Sequence, residues 1–219
     1  MITIDGPAGA GKSTVARELA RRLGFARVNA GALYRALAWA VRRAGASPEG
    51  GPAFDAVLDR TRVELAGERV LVDGEDVSGD IWSPEISELT SRLTMLPAVR
   101  AKMTPLQRAL AARGGVILEG RDTGSVVWPE AEVKFYLDAD LDARARRRHA
   151  DLRAEGVLMD LAEVTQDLAR RDRQDMERPL APLRRPAGAV VIDTSGIELE
   201  DVVREMLKVV ERAWCCTGS

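Results

Sequence analysis

A glycine-rich segment near the start of the chain has the residue types needed to hold a phosphate. Residues 6–14 read GPAGAGKST and follow the apolar run 2–4. The glycines allow several backbone N–H groups to point at one phosphate, Lys12 supplies a compact positive charge, and the Ser13 hydroxyl can ligate Mg²⁺. A helix beginning near Lys12 would add the positive end of its dipole. The pattern predicts a nucleotide-phosphate site made of Gly6, Pro7, Ala8, Gly9, Ala10, Gly11, Lys12, Ser13 and Thr14.

A second charged group follows the apolar run Val116–Leu118. Glu119 lies where phosphate-loop enzymes often keep an acid for Mg²⁺ or its waters. Arg121 and Asp122 leave the same strand end toward the crevice of the sheet, where ligands bind in open α/β folds. Arg35, in the first turn or so of the second predicted helix, can be reached from that edge and can meet a second phosphate. A structural ion pair at a strand end, and a solvated helix arginine, are the alternative interpretations.

Arginines also recur at helical spacing in the second half of the chain. Arg144 and Arg148 are four residues apart and share one face, and Arg171, Asp175 and Arg178 share another. Like charges packed in this way need an anion or full solvation. A triphosphate that passes its terminal group to another phosphate is such an anion, whereas a solvated basic face is the alternative.

The order of apolar patterns predicts the fold that positions these groups. Strand-like runs are found at 2–4, 26–29, 116–118, 133–137 and 189–192. Helical patterns cover about 12–23, 32–43, 98–113, 142–155, 161–174 and 199–213. Unbroken apolar strands that alternate with helices predict an α/β fold with a doubly wound, five-stranded parallel sheet.

One stretch interrupts this alternation. The runs Val63–Leu65 and Val70–Val72 alternate in polarity, and turn residues lie between them and after them. A helix is predicted from Glu85 to Met95. We therefore expect residues 55–96 to form a small α+β insert on a core made of 1–54 and 97–219, with a helical lid at about 140–175 that turns near 155–157.

Composition excludes several classes of function. The net charge of the 219 residues is −2, so no basic excess indicates a nucleic-acid or membrane partner. No apolar run has transmembrane length, and the chain begins directly with a strand, so we expect a cytoplasmic protein without a leader. His149 is the one histidine; it continues the arginine-rich helix, and we assign it no catalytic role. Cys215 and Cys216 are adjacent near the end, and we expect free thiols there.

The combined motifs resemble the bacterial cytidylate kinases, a family of P-loop nucleoside monophosphate kinases. The matching segments span nearly the whole chain: ITIDGPAGAGKST (2–14), GALYR (31–35), DGEDVSG (73–79), LEGRDTGSVVWP (118–129), KFYLDA (134–139), ARARRR (143–148) and ERPLAPL (177–183). The resemblance implies that ATP donates its γ-phosphoryl group to CMP or dCMP with Mg²⁺, on a core sheet with a nucleotide-binding insert and an arginine-bearing lid.

The resemblance also implies roles for individual residues. The acceptor phosphate would be held by Arg35 and Arg121, assisted by Arg178. The base would be read by Ser91, Arg100 and Asp122, and the sugar by Arg171 and Asp175. Arg144 and Arg148, or Arg147, would be lid arginines, and Ser13 and Glu119 would serve the metal. The chain departs from the family at Ala30, where many relatives carry serine, and at Glu119, where they often carry aspartate.

The base assignment agrees with hydrogen-bonding chemistry. Cytosine offers acceptors at N3 and O2, which suit Arg100, and an amino donor at N4, which suits an ionised Asp122. Uracil would mismatch both side chains, at a cost of about 1–3 kcal/mol for each unpaired group. We therefore expect cytosine to be favoured by at least tens-fold.

Three other functions remain open from the sequence. The nearest is a kinase of another small acceptor, such as UMP, AMP or shikimate. A nucleotide-dependent switch or ATPase is less compatible with the arginine-rich second half. A nucleic-acid 5′-end kinase would need stacking aromatics, but only 4% of the residues are aromatic. The expected partners are therefore small nucleotides, and the expected state is a monomer.

Overall fold

A five-stranded sheet, parallel throughout, lies at the centre of the fold. The computed structural model describes residues 1–154 and 156–215. The strands of this sheet are β1 (Ile2–Asp5), β2 (Ala26–Asn29), β6 (Val116–Glu119), β7 (Val133–Asp138) and β8 (Val190–Asp193). Their spatial order is β2-β6-β1-β7-β8, and every pairing is parallel. The predicted doubly wound α/β fold is confirmed.

Alternation along the strands divides the apolar side chains between two cores. Ile117 packs with the core that contains Ile2 and Phe135, whereas its neighbours Val116 and Leu118 pack with the other core. Successive residues of a strand point to opposite faces of the sheet, so both faces are covered. This explains why the strands read as unbroken apolar runs.

Eight α-helices accompany the strands in the described part of the chain. They are α1 (Lys12–Leu23), α2 (Ala30–Arg43), α3 (Pro52–Arg60), α4 (Pro84–Leu93), α5 (Pro97–Ala111), α6 (Leu141–Ala154), α7 (Leu161–Glu177) and α8 (Leu199–Cys215). Helix α2 begins two residues earlier than predicted, because the Asn29 side chain caps it by accepting a hydrogen bond from the Ala32 N–H at 2.9 Å. Arg35 therefore lies in the second turn.

The insert contains more structure than the sequence indicated. Its antiparallel sheet, which was predicted as two strands, has three: β3 (Val63–Ala66), β4 (Arg69–Val72) and β5 (Glu75–Asp76). A short 3₁₀ helix, Asp80–Trp82, leads to α4. Helix α3 was not predicted, and the expected boundary between residues 54 and 55 falls inside it.

Helices α6 and α7 form the lid hairpin, a name that we use for these two helices and their connection. Asp160 caps α7 in a reciprocal arrangement with Glu163. The predicted turn includes Glu155, and the predicted thiol pair includes Cys216; both residues lie outside the described part of the chain. Among the residues described, none of the helices is both long enough and apolar enough to span a bilayer.

Candidate active site

The glycine-rich loop curls between β1 and α1 as the sequence predicted. Gly6 has a φ of 145°, and a Cβ atom there would lie 2.0 Å from the backbone oxygen of Leu137, so glycine is required. The Lys12 side chain is buried and donates from Nζ to the Pro7 carbonyl oxygen at 2.6 Å. Burial, followed by the nearby charge of Arg121, holds the pKa of Lys12 well below its ordinary value.

Two predicted metal ligands meet at the edge of the sheet. The Ser13 hydroxyl donates to Glu119 Oε2 at 2.7 Å, and Glu119 is almost fully buried at the end of β6. Sequence reasoning missed Arg27, whose Nη1 donates to Glu119 Oε1 at 3.0 Å and whose guanidinium also pairs with Glu68 of the insert. No cluster of three acidic, His or Cys side chains suited to a metal occurs within the described residues. Mg²⁺ normally needs only one or two carboxylates beside substrate phosphates, and a hydroxyl beside a buried carboxylate fits that donor set.

A cleft of about 530 Å³ lies above the loop and the carboxyl edge of the sheet. Most of the predicted site residues line it: Ala8, Gly9, Gly11, Lys12, Ser13, Thr14, Arg35, Ser91, Arg100, Glu119, Arg121, Asp122, Arg148, Arg171, Asp175 and Arg178. The lining does not include Gly6, Pro7, Ala10 or Arg144. The glycine-rich loop, the carboxyl edge of the sheet, the insert and the lid hairpin thus all contribute to one cleft.

Asp122 is the centre of a buried charge network in this cleft. Its two carboxylate oxygens accept from Arg100 Nη2 and, at 3.3 Å, from Arg178 Nη2. All three side chains are at most 9% exposed. Burial lowers the pKa of Arg178, and the carboxylates of Asp122 and Asp175 oppose that shift. Asp122 thus takes part in ion pairs at the strand end, as the alternative interpretation predicted.

Asp175 joins Arg178, which directly follows the end of α7, to the strand-end residue Arg121. Its two carboxylate oxygens accept from Arg121 Nε at 2.9 Å and from Arg178 Nη1 at 3.5 Å. Arg171, one turn earlier on α7, pairs with Asp167 at 2.9 Å, and its pKa is lowered by burial. The sequence spacing of 171, 175 and 178 thus does place these side chains along the cleft.

Arg35 is directed toward the insert. Its Nη1 donates to the Ser87 hydroxyl at 2.7 Å and to the Ile81 carbonyl at 3.1 Å, and its guanidinium carbon lies 5.1 Å from the centre of the Trp82 ring. Sequence reasoning did not identify Trp82, Ser87 or Tyr34, all of which line the cleft. The guanidinium carbon of Arg100 lies 6.0 Å from the centre of the Tyr34 ring. Tyr34 is part of the GALYR segment, so that segment could have identified it from the sequence.

Arg144 has a different setting from the one expected of a lid arginine. It is 7% exposed, pairs with Asp172 and donates to two backbone carbonyls, those of Ala139 and Ala8. Arg147 and Arg148 line the cleft instead.

Asp5 is a buried acid that the sequence analysis did not consider. It ends β1, and its carboxylate accepts from the Thr123 N–H and hydroxyl, both at 2.8 Å, and from the Gly124 N–H at 2.7 Å. Burial raises the pKa of Asp5, although these hydrogen bonds oppose the shift. Asp5 therefore fixes the π-helical turn Thr123–Val127 that follows Arg121 and Asp122.

A second cavity of about 480 Å³ lies on the other side of the glycine-rich loop. It is bounded by the start of α1, by α6 and by the segment before α8. Its lining includes Ala10, Gly11, Thr14, Val15, Ala143, Arg146, Arg147, Thr194, Gly196, Ile197, Glu198, Leu199 and Val202. Apolar side chains with a few polar or charged ones are typical of small-molecule pockets.

Comparisons of sequence with known proteins agree on one family. The family model described as cytidylate kinase matches residues 2–212. A cytidylate kinase of Symbiobacterium thermophilum is 46% identical over 217 residues, covering 97% of this chain and 96% of the relative. One of Carboxydothermus hydrogenoformans is 41% identical and covers 96% and 97% of the two chains. Among solved structures, a gluconokinase from Sinorhizobium meliloti has a TM-score of 0.52 at 16% identity, covering 97% of this chain and 91% of that one, which supports the fold.

Proposed function

The chain belongs to the cytidylate kinase family, and on that premise we propose that its cleft transfers the γ-phosphoryl group of ATP to CMP or dCMP. The observation that carries this proposal is the convergence of three sets of side chains on one cleft. Lys12 of the loop, the Arg100–Asp122 pair, and the arginines in and just after the second helix of the lid hairpin, Arg171 and Arg178, all line it. A donor triphosphate and an acceptor monophosphate need such cations between them.

The donor is proposed to lie along the glycine-rich loop. Its phosphates would meet the loop N–H groups and Lys12, and its nucleoside would occupy the second cavity beyond Gly11 and Thr14. Ser13 and Glu119 would hold Mg²⁺, which neutralises phosphate charge when bound. Arg27 and the insert residue Glu68 would keep the Glu119 carboxylate in place.

The acceptor is proposed to lie between the core and the insert. Arg35, Arg121 and Arg178 would hold its phosphate. Arg100 and Asp122, with Ser91, would read the cytosine, because the network around Asp122 leaves further lone pairs of the carboxylate for an amino group. Arg171 and Asp175 on α7 would contact the sugar.

The proposed reaction needs no general base. The acceptor phosphate oxygen is already anionic, so catalysis consists of positioning and charge neutralisation by Lys12 and by guanidinium groups at the transferring phosphoryl group. Arg147 or Arg148, which line the cleft from α6, would supply the lid cation. Closure of the insert and the lid hairpin over both nucleotides would exclude water. Turnover of ATP without an acceptor should therefore be very slow.

We place the enzyme in the cytoplasm, acting as a monomer in pyrimidine nucleotide metabolism. A coupled assay of ADP formation tests the activity across CMP, dCMP, UMP, AMP and shikimate. CMP and dCMP should be phosphorylated with at least tens-fold higher kcat/KM than UMP. Equal rates with UMP, or preference for AMP or shikimate, would exclude the cytidylate assignment.

A further inference from the structure

Two oppositely charged side chains of the lid hairpin meet at the glycine-rich loop. Arg144 of α6 and Asp172 of α7 form an ion pair, and each residue is only 7% exposed. Neither side chain is included in the lining of the cleft above the glycine-rich loop. A buried ion pair is costly to form and contributes little net stability, so its presence beside a phosphate-binding loop needs a reason.

The pair occupies both backbone polar groups of Ala8. The Ala8 N–H donates to Asp172 Oδ1 at 3.3 Å, and the Ala8 carbonyl accepts from Arg144 Nη1 at 3.1 Å. The Arg144 Nε also donates to the Ala139 carbonyl at 2.8 Å, which ties the guanidinium to the end of β7. The orientation of this guanidinium is therefore fixed at three points.

Close packing accompanies these hydrogen bonds. A Cβ atom at Gly9 would lie 3.0 Å from Arg144 Cβ and 3.2 Å from the Arg144 backbone oxygen. The loop thus rests directly on the first turn of α6 at the residue after Ala8. The path of the loop over residues 8 and 9 is set by the lid hairpin as well as by its own glycines.

We propose that Arg144 and Asp172 are positioning residues that hold Ala8 so that the loop presents its N–H groups to the phosphates of ATP. The pair links the base of the lid hairpin to donor binding, because α6 and α7 cannot separate there without releasing Ala8. This differs from the expectation that Arg144 is itself a lid arginine at the transferred phosphate. The inference uses the proposed function only in taking ATP as the donor.

The test replaces the pair by apolar residues, one at a time and together. Arg144→Met and Asp172→Leu each leave one buried charge without its partner, which should lower the melting temperature. The double variant removes both charges and should regain much of that loss, since apolar replacements of buried pairs are often neutral. Each single variant removes one of the two hydrogen bonds to Ala8, and the double variant removes both. ATP should therefore bind more weakly to each single variant and at least about tenfold more weakly to the double variant, which corresponds to about 1.4 kcal/mol.

Two equilibrium measurements on the full chain read out the effect. Calorimetric titration gives the Kd of ATP and of CMP, and the Kd of CMP should stay within about twofold. Hydrogen exchange of the peptide that covers residues 7–10 should be faster in every variant, including the double variant. The matched control is Arg170→Ala, because Arg170 also lies on α7 and pairs with an acid, Asp167, but is exposed.

Two results would overturn the inference. One is a folded double variant that binds ATP with the affinity of the unmodified protein. The other is an equal loss of affinity for ATP and CMP, which would indicate general distortion of the cleft. Because binding of ATP is measured without turnover, failure of the proposed acceptor specificity in the coupled assay would be seen separately and would leave this test intact.

Discussion

Replacing Asp122 by asparagine isolates the proposed reading of the base. The substitution keeps the size of the side chain but removes its negative charge and adds an N–H donor. In the structure, the carboxylate accepts from both Arg100 and Arg178 inside the cleft. A cytosine amino group would lose a charged acceptor, whereas uracil O4 would gain a donor.

The expected magnitude follows from the burial of this network. A hydrogen bond to a charged group is worth about 1.5–3 kcal/mol. We therefore expect Asp122→Asn to lower the ratio of kcat/KM for CMP to that for UMP by about 10-fold to 150-fold. Weakening of the ion pairs to Arg100 and Arg178 should lower both kcat/KM values together, so that part cancels in the ratio.

The assay measures initial rates of ADP formation with CMP and with UMP at saturating ATP. Asp175→Asn is the matched control, since Asp175 also accepts from Arg178 and from Arg121 but is assigned to the sugar. The control should leave the CMP-to-UMP ratio within about twofold while reducing both rates. If Asp122→Asn leaves the ratio unchanged, Asp122 does not read the base.

Three further substitutions test other parts of the site. Glu119→Gln removes a proposed metal ligand, so the Mg²⁺ concentration for half-maximal rate should rise about tenfold or more. An unchanged Mg²⁺ concentration for half-maximal rate would show that Glu119 does not bind the metal. Gly6→Ala places a methyl group against the Leu137 backbone oxygen, so the free energy of unfolding measured in urea should fall by at least about 2 kcal/mol. The control Gly24→Ala, where no atom lies within 4 Å of the added Cβ, should lower it by about 1 kcal/mol. The pKa of Lys12 is lowered in the folded protein, so the unfolded chain binds more protons between that lowered pKa and about 10.4, and the free energy of unfolding should rise with pH across this range. The variant Lys12→Met should lack this rise. Parallel curves of unfolding free energy against pH for the two proteins would contradict the assigned shift.

The loop, the strands and most of the cleft could be predicted because their signals are local. The spacing of glycines and Lys12 reports a loop whose geometry depends on neighbouring residues. The spacing of 171, 175 and 178 likewise reports one helical face, and the structure places all three along the cleft. Helix α3 was not predicted although it has a short signal of this kind, since Phe54, Val57 and Leu58 are spaced as on one helical face and Pro52 begins the helix.

The missed residues depend on contacts between distant parts of the chain. Asp5 meets Thr123, and Asp172 meets Ala8, across separations of 118 and 164 residues. Arg27 reaches Glu119 from a neighbouring strand. A single sequence does not show which acid or arginine is buried with which partner, so neither the spacing of Arg144 nor the family resemblance revealed its pairing with Asp172.

The position of β1 has a consequence for how the protein is made. Its two neighbours, β6 and β7, pair through residues such as Ile117 and Val133, which leave the ribosome long after Ile2. More than half of the polypeptide must therefore be synthesised before β1, and the phosphate loop that follows it, can be incorporated into a sheet. Partially synthesised chains would display bare apolar strand edges, and a chaperone that shields such edges during translation should raise the yield of native enzyme.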